Sequence, residues 1–259
     1  ADFHDVLSEA QSLGYAESDP TADVDAFDAQ YKIAVLARLA FHTEVPVDEI
    51  YREGIQKVHA KDFRYASELG FTIKLLAVAQ ASEESGLLAR VHPALIPVDV
   101  PMASVNGALN AVEVEGDLVG PLWFQGPGAG PEPTASAVMG DILRIARGAV
   151  INGTHSAGRM PFEIASMCDH VCQYYIRLTA SDRPGVLANV AKVLGDADIS
   201  INSVLQKDTD IENEQADLVI MTHPARESNI QNAVNVIREL DTVLNLDSLL
   251  RVEAYGERS

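Results

Sequence analysis

The sequence predicts an α+β protein of two domains, in which a mixed or antiparallel sheet covered by helices on one face precedes a small βαββαβ domain. Three observations support this fold class. Apolar residues recur at helical spacing over 27–42, and they alternate at strand spacing over 71–79. From residue 173 onward, strands and helices follow one another in a regular β-α-β-β-α-β order. A chain of 259 residues is long enough for two modest cores.

Turn residues and glycines bound the elements of the first domain. We predict helices over 5–13, 27–42, 47–56, 60–69 and 134–150, and strands over 71–79, 87–92, 109–115 and 118–124. Gly14 ends the first helix, and Thr134 is the predicted N-cap of the last. The strand over 71–79 is apolar at most positions, which predicts burial on much of both faces.

The second domain contains six elements after a glycine- and proline-punctuated segment. We predict strands over 173–180, 199–206, 214–222 and 246–255, and helices over 184–196 and 228–240. The predicted boundaries are 1–151 for the first domain, 152–171 for a linker and 172–259 for the second domain. The βαββαβ order is the ferredoxin-like arrangement.

Composition excludes several classes of function. The chain carries 38 acidic and 19 basic side chains, a net charge of −19, which argues against nucleic-acid binding. It has neither an apolar run of ~20 residues nor a signal peptide, which predicts a cytoplasmic protein without membrane contact. Cys168 and Cys172 are the only cysteines and suit a reducing compartment. With His170 they offer three ligands at an unusual spacing, so we predict no metal site.

An acidic cluster near the N-terminus is the first candidate site. Residues 1–28 hold eight acidic side chains and no Lys or Arg. Glu17, Asp23 and Asp28 flank a loop and the start of a helix, and Lys32 follows Asp28 at the i+4 position. Carboxylates facing one ammonium group are what a zwitterionic amino acid needs for binding. The alternative is a solvated acidic helix start with a routine i,i+4 ion pair.

The second candidate site is the motif Asp182-Arg-Pro-Gly-Val-Leu187, between the first strand and first helix of the small domain. Pro184 fits a first helical turn, Gly185 permits close approach, and free N–H groups at a helix start suit a carboxylate. With the βαββαβ order, the motif resembles the ACT domain, a regulatory module that binds small amino acids. The resemblance implies an effector against Asp182 and Gly185, with Ser200 and Asn202 on the facing strand as candidates. The alternative is a tight turn without a ligand.

The linear pattern around the acidic cluster is similar to the signature of homoserine dehydrogenases. It reads Ala10-x3-Gly14-Tyr15-Ala16-x2-Asp19-Pro20-x2-Asp23-Val24-x-Ala26-x-Asp28-x3-Lys32. Ala26 is a departure, since the family usually has Gly there. Similarity continues through Lys61-Asp62-Phe63, Ile73-Lys74-Leu75-Leu76, Val91-His92-Pro93, Asn110-Ala111-Val112 and the segment from Gly126 to Val138. The resemblance covers about residues 3–150, and an ACT-like tail is a known extension of the family.

This resemblance implies the interconversion of L-homoserine and L-aspartate 4-semialdehyde with NADP or NAD, in threonine and methionine biosynthesis. It implies substrate binding by Glu17, Asp23 and Asp28, helped by Tyr15 and Gly14. The implied catalytic residues are Lys32 and Asp28, and Lys32 is the lysine that polarises or protonates the aldehyde oxygen. Lys74 is a further candidate for substrate binding, with a plain surface lysine as the alternative.

The glycine-rich segment 126–130 has the spacing G-x-G-x-G and is followed by prolines, which differs from the G-x-G-x-x-G dinucleotide fingerprint. The resemblance implies that Gly128 and Gly130 approach the cofactor closely; a tight turn is the alternative. The family's nucleotide-binding domain precedes the matching segment, so we expect this chain alone to be inactive. We also expect threonine as the effector and a homodimer or homotetramer. The rival interpretations are a non-catalytic amino-acid sensor built on an ACT domain and a structural dimerisation fragment.

Overall fold

The computed structural model describes residues 3–12, 18–128, 130–148, 161–210 and 214–253. Its helices are α1 (Phe3–Ser12), α2 (Thr21–Val24), α3 (Phe27–Phe41), α4 (Ala60–Glu68), α5 (Pro131–Ala146), α6 (Val186–Asp196) and α7 (Glu227–Arg238). Its strands are β1 (Tyr51–Arg52), β2 (Phe71–Ser82), β3 (Gly86–Pro97), β4 (Leu109–Gly116), β5 (Gly120–Pro127), β6 (Val171–Ser181), β7 (Ile201–Asp210), β8 (Gln215–Thr222), β9 (Ala225–Arg226) and β10 (Val243–Val252). Within these ranges, no helix is long and apolar enough to cross a membrane.

One mixed sheet of eight strands runs through both halves of the chain. The central order is β1-β3-β10-β6-β8-β7, with β2 antiparallel to β3 and β9 paired with β6. The halves meet where β10 pairs in parallel with β3, through Arg251 opposite Ala94 and Val252 opposite Leu95. The predicted α+β class is confirmed, and the small domain adds its strands to the sheet of the first domain.

Helices cover both faces of the C-terminal part of this sheet. On one face, α6 and α7 pack against β6 and β8 around Ile176, Leu178, Val190, Ile220 and Ile230. On the other face, α4 from the first half packs its Tyr65 and Ala66 against a core that includes Tyr175, Val219 and Leu250. Successive residues of β6 and β8 therefore point alternately towards α6 and towards α4.

The helix predicted over 47–56 is wrong. The chain forms a short 3₁₀ turn at Val47–Glu49 and then the strand β1, whose Tyr51 and Arg52 pair with Arg90 and Val91 of β3. Local helical spacing is overridden there by pairing with a buried strand that lies far away in sequence.

Two further expectations for the first domain fail. Thr134 is not the N-cap of α5, because the helix starts at Pro131 with Gly130 as its N-cap. Proline is pre-organised for the first helical turn, and Thr134 Oγ1 instead donates back to the Gly130 carbonyl at 2.8 Å. Strand β2 is less buried than predicted, since along it only Ile73 and Leu76, which point to opposite faces, are buried, while its other residues stay half-buried or exposed. It lies at an edge of the sheet, where β3 is its only strand neighbour among the described residues.

The predicted linker lies partly outside the described residues, which omit 149–160. The described part, from residue 161 onward, is tied to the first domain. Leu87 N donates to the Glu163 carbonyl at 2.8 Å, and Ala165 N donates to the Leu87 carbonyl at 2.9 Å. Phe162 also packs edge-on against Phe41 of α3. The domain boundaries drawn from the sequence stay a prediction.

Candidate functional site

The turn between α2 and α3 carries three of the predicted site residues. Asp23 lies in α2, while Asp28 lies in the first turn of α3 and Lys32 one turn later. Ala26 joins the two helices in a left-handed conformation, with φ +63°. That backbone favours glycine, which accounts physically for glycine being the usual residue at this position of the pattern. Ala26 nevertheless adopts this left-handed conformation, so the turn forms with alanine in place of glycine.

Asp28 and Lys32 form an open ion pair. Lys32 Nζ lies 2.6 Å from Asp28 Oδ2, and the two side chains are 63% and 47% exposed. An exposed i,i+4 pair contributes only about 0.3–0.5 kcal/mol to folding stability. The protein therefore loses little folding stability when a ligand replaces one partner of this pair. Both charged groups are accessible to a small zwitterion.

The α2–α3 turn is held in place by the segment that follows β1. Arg52 donates to the Asp25 carbonyl and places its guanidinium 3.6 Å from the Phe27 ring centroid. Ile55 N donates to the Val24 carbonyl at 2.9 Å. A Cβ at Gly54 would lie 2.6 Å from that same carbonyl oxygen, so only glycine fits there. Sequence reasoning missed these supports, although a glycine within a predicted helix is a signal against that helix.

Three predicted substrate-binding residues, Gly14, Tyr15 and Glu17, lie outside the described residues. Lys74 lies on β2, where it donates to the Val105 carbonyl at 2.6 Å and to Asn106 Oδ1 at 3.0 Å. Burial lowers the pKa of Lys74 below its ordinary value. These bonds fasten the loop before β4 and occupy two of the three donors of the lysine.

Local structure explains why the two glycines proposed to contact the cofactor, Gly128 and Gly130, are glycines. A Cβ on Gly128 would lie 1.3 Å from Asn110 Nδ2, and Gly130 has φ +117° at the start of α5. The start of this helix also contains two prolines, which lack the N–H groups that would hold a phosphate. Both glycines therefore have a structural reason that needs no ligand, and their contact with a cofactor stays a prediction.

An open depression of ≈ 570 Å³ lies on another side of α3. Its lining includes Phe27, Gln30 and Tyr31 but neither Asp28 nor Lys32. Gln30 is buried beneath it and donates to the Val47 and Ile50 carbonyls at 2.9 and 3.0 Å. The depression is therefore separate from the ion pair at the start of α3.

A second pocket, of ≈ 370 Å³, lies at the start of α6, and we call it the effector pocket. It is lined by residues 180–187, Gln206, Ala216 and Leu218. Gly185 is the N-cap of α6 with φ +93°, so the predicted start at Pro184 is two residues early. The motif residues Asp182 and Gly185 thus lie in the lining, as a ligand-binding role requires.

The two charged side chains that line the effector pocket, Asp182 and Arg183, each have a hydrogen-bond partner. Gln206 Nε2 donates to Asp182 Oδ1 at 2.9 Å, and Arg183 Nη2 donates to Glu214 Oε2 at 2.9 Å. Ser200 and Asn202 are not part of the lining; Gln206, farther along β7, faces the pocket instead. The register shift that β7 makes between Ile201 and Ser203 is a feature that alternation in sequence cannot predict.

The Cys-x-His-x-Cys segment does not gather ligands. Cys168 is exposed, whereas burial raises the pKa of the Cys172 thiol to about 12. Burial, together with nearby Arg90, lowers the pKa of His170 to about 4. No three His, Cys, Asp or Glu side chains in the described ranges are grouped so that they could hold a metal ion.

Comparisons with known proteins agree with both halves of the chain. Residues 1–143 match the family model described as homoserine dehydrogenase, and residues 174–242 match the model of the ACT domain. Homoserine dehydrogenases from Pseudomonas aeruginosa and Corynebacterium glutamicum are both 41% identical to the chain. These matches cover 97% and 98% of this chain but only 59% and 58% of the relatives. The chain therefore spans about three fifths of the length of the curated relatives it matches.

Solved structures extend this similarity to three dimensions. The crystal structure of a homoserine dehydrogenase from Thiobacillus denitrificans matches 98% of this chain with a TM-score of 0.87 and 42% identity, and the match covers 59% of that structure. A Staphylococcus aureus homoserine dehydrogenase matches 98% of the chain and 60% of its own, with a TM-score of 0.69 and 28% identity. On these grounds the chain belongs to the homoserine dehydrogenase family and carries an ACT domain in its C-terminal part.

Proposed function

We propose that this chain supplies the substrate site and the regulatory domain of an enzyme that interconverts L-homoserine and L-aspartate 4-semialdehyde in the cytoplasm. The observation that carries the proposal is the open Asp28–Lys32 pair at the start of α3, in a chain of this family. The exposed carboxylate of Asp23, one short helix earlier, adds a second anion to the same turn.

The chemistry follows from the charges. Asp23 and Asp28 hold the substrate ammonium through charge-assisted hydrogen bonds. Lys32 donates to the aldehyde oxygen, where negative charge grows during reduction, and a nearby ammonium stabilises or protonates that oxygen. In the reverse direction the neutral amine form of Lys32 accepts the hydroxyl proton of homoserine and becomes the ammonium. A bound nicotinamide cofactor supplies or accepts the hydride.

Cofactor binding is proposed to need more than these 259 residues. The described residues offer the cofactor, NADP or NAD, the exposed backbone of Gly128 and Gly130, and two prolines follow Gly130. We therefore propose that a nucleotide-binding domain outside these 259 residues completes the cofactor site, and that these residues by themselves do not oxidise NADPH or NADH in the presence of aspartate semialdehyde.

Calorimetric titration with L-homoserine tests the substrate site. Wild-type chain is expected to bind, and Lys32→Met or Asp28→Asn is expected to weaken binding about tenfold or more, the loss typical of a hydrogen bond to a charged group. Lys192→Met is the matched control, because Lys192 forms an exposed i,i+4 pair with Asp196 at 2.5 Å on α6. Equal loss in the control, or no loss at Lys32, would refute the assignment.

The effector pocket is proposed to bind threonine. Asp182 and Arg183 offer the opposite charges that a free amino acid needs, and both line the pocket. Threonine binding without any binding of homoserine would favour the alternative function, a non-catalytic amino-acid sensor.

A second copy of the chain is the proposed occupant of an exposed apolar surface on α5. Val138, Ile142 and Ile145 lie at i, i+4 and i+7 on one stripe of this helix, and each is more than half exposed. Stripes of this kind mark interfaces rather than solvated surfaces. Analytical ultracentrifugation is expected to show a dimer or tetramer that dissociates in Ile142→Glu; an unchanged wild-type-like assembly in that variant would refute this surface.

A further inference from the structure

Strand β8 has two functionally different faces. Ala216 and Leu218 line the effector pocket on the side of α6. Asp217, between them, points to the opposite side of the sheet, as strand alternation requires, and meets α4 of the first domain. One short strand therefore borders both the effector pocket and the domain that carries the proposed substrate site.

The contact of Asp217 with α4 is direct and buried. Its carboxylate is 4% exposed and accepts from Lys61 Nζ at 2.8 Å and from Tyr65 Oη at 2.9 Å. Thr179, beside the pocket residue Ala180 on β6, lies 3.4 Å from the same carboxylate. A displacement of β8 or β6 at the pocket would therefore shift the groups that Lys61 and Tyr65 of α4 bind.

An ion pair that is buried on both sides also keeps α4 on the sheet. Asp62, which is fully buried, accepts from Arg177 Nε at 2.7 Å and from Tyr175 Oη at 3.0 Å. Separating a buried ion pair is strongly unfavourable, because each charge would be left without its partner. When β6 and β8 move, α4 is therefore expected to follow them rather than to detach.

The first domain carries such a displacement towards the substrate helix. Helix α4 leads through Gly70 directly into β2, and both α4 and α3 pack against β2. Packed elements of this kind shift as units, since interiors are dense and have little free space. The physical connection from the effector pocket thus runs through Asp217, α4 and β2 to α3, which bears Asp28 and Lys32.

We propose that Asp217, Lys61 and Tyr65 are positioning residues that couple occupancy of the effector pocket to the substrate helix. This inference rests on the proposed effector function of that pocket. Lys61 is the best residue to perturb, because its side chain is 47% exposed and its replacement leaves no buried cavity.

Hydrogen exchange of the whole chain, with and without saturating L-threonine, tests the coupling. In wild type we expect threonine to change exchange in α4 and β2 by about fivefold or more, the lower end of typical allosteric coupling. In Lys61→Gln we expect threonine to bind within about threefold of the wild-type affinity in calorimetry, while the change in α4 is largely lost. Lys61→Arg should retain the change, and Lys192→Gln is the control for an ion pair confined to α6.

The outcomes separate the coupling from the effector assignment. Threonine binding with an unchanged α4 in wild type would overturn the coupling and leave the effector pocket standing. A full threonine response in Lys61→Gln would overturn the coupling through this contact. No binding of threonine by wild type would overturn the proposed effector and the coupling together.

Discussion

Replacing Gly54 by alanine is the sharpest perturbation of the α2–α3 turn. The added Cβ would lie 2.6 Å from the Val24 carbonyl oxygen and 2.9 Å from the Asp25 Cα. Both obstacles are backbone atoms, so the turn must move away from residues 52–56. The Ile55 N–H bond to the Val24 carbonyl, now 2.9 Å long, would lengthen or break.

The cost can be worked out from two opposing effects. Overpacking costs about 1–3 kcal/mol. The Gly→Ala change also restricts the unfolded chain, which returns about 0.4–1 kcal/mol. Taking the middle of each range, the net loss in the free energy of unfolding is about 1.3 kcal/mol. For a chain of this size we expect a fall in Tm of about 3–5 °C.

Gly195→Ala is the matched control. This glycine lies within α6, and a Cβ there would meet nothing within 4 Å. We expect a gain of about 0.5–1 kcal/mol, since glycine is unfavourable inside a helix. Urea unfolding and exchange of the Ile55 amide measure both variants. A Gly54→Ala protein as stable as wild type, with a protected Ile55 amide and unchanged homoserine binding, would refute the idea that this contact positions the site.

Three further predictions concern the buried His170, the buried Asp62–Arg177 ion pair and the proposed need for a separate nucleotide-binding domain. Burial lowers the pKa of His170 to about 4, below the ordinary 6.5, so as the pH falls the unfolded chain takes up this proton before the folded chain does. The free energy of unfolding should therefore fall between pH 6.5 and 4, by about 1–2 kcal/mol once the shift is discounted for the solvent exposure of the ring. Urea unfolding at several pH values should show a shallower loss in His170→Asn, and parallel curves would contradict this. Arg177→Met should cost about 3–5 kcal/mol by leaving Asp62 buried without its partner, whereas a loss below about 1 kcal/mol would show that the pair is not a structural link. The purified chain should leave NADPH and NADH absorbance unchanged with aspartate semialdehyde, and turnover at a rate typical of enzymes would contradict the need for another domain.

Sequence patterning predicts most elements of this fold because their apolar spacing is local. Helix α3 and the βαββαβ order of the second half are examples, and the acidic turn before Lys32 is visible as a linear motif. The helix predicted over 47–56 fails because β1 forms only by pairing with β3. Long-range pairing of this kind leaves no periodic trace in a two-residue strand.

The joint between the two halves could not be predicted for the same reason. β10 pairs with β3 across most of the chain length, and Asp62 meets Arg177 across the same joint. In sequence, Lys61-Asp62-Phe63 reads only as a family-like segment. The structure gives Lys61 and Asp62 a physical role, because both hold α4 against the sheet of the ACT domain.

A chimaera tests the central claim most directly, with this chain replacing the matching three fifths of the Pseudomonas aeruginosa homoserine dehydrogenase. Steady-state oxidation of NADPH or NADH with aspartate semialdehyde is the measurement. We expect turnover in the chimaera and a fall in kcat of about 100-fold or more in Lys32→Met, the contribution typical of a positioned acid or base. The control Lys192→Met should match the parent chimaera. A folded chimaera in which Lys32→Met retains the parent kcat would contradict the assignment of the site.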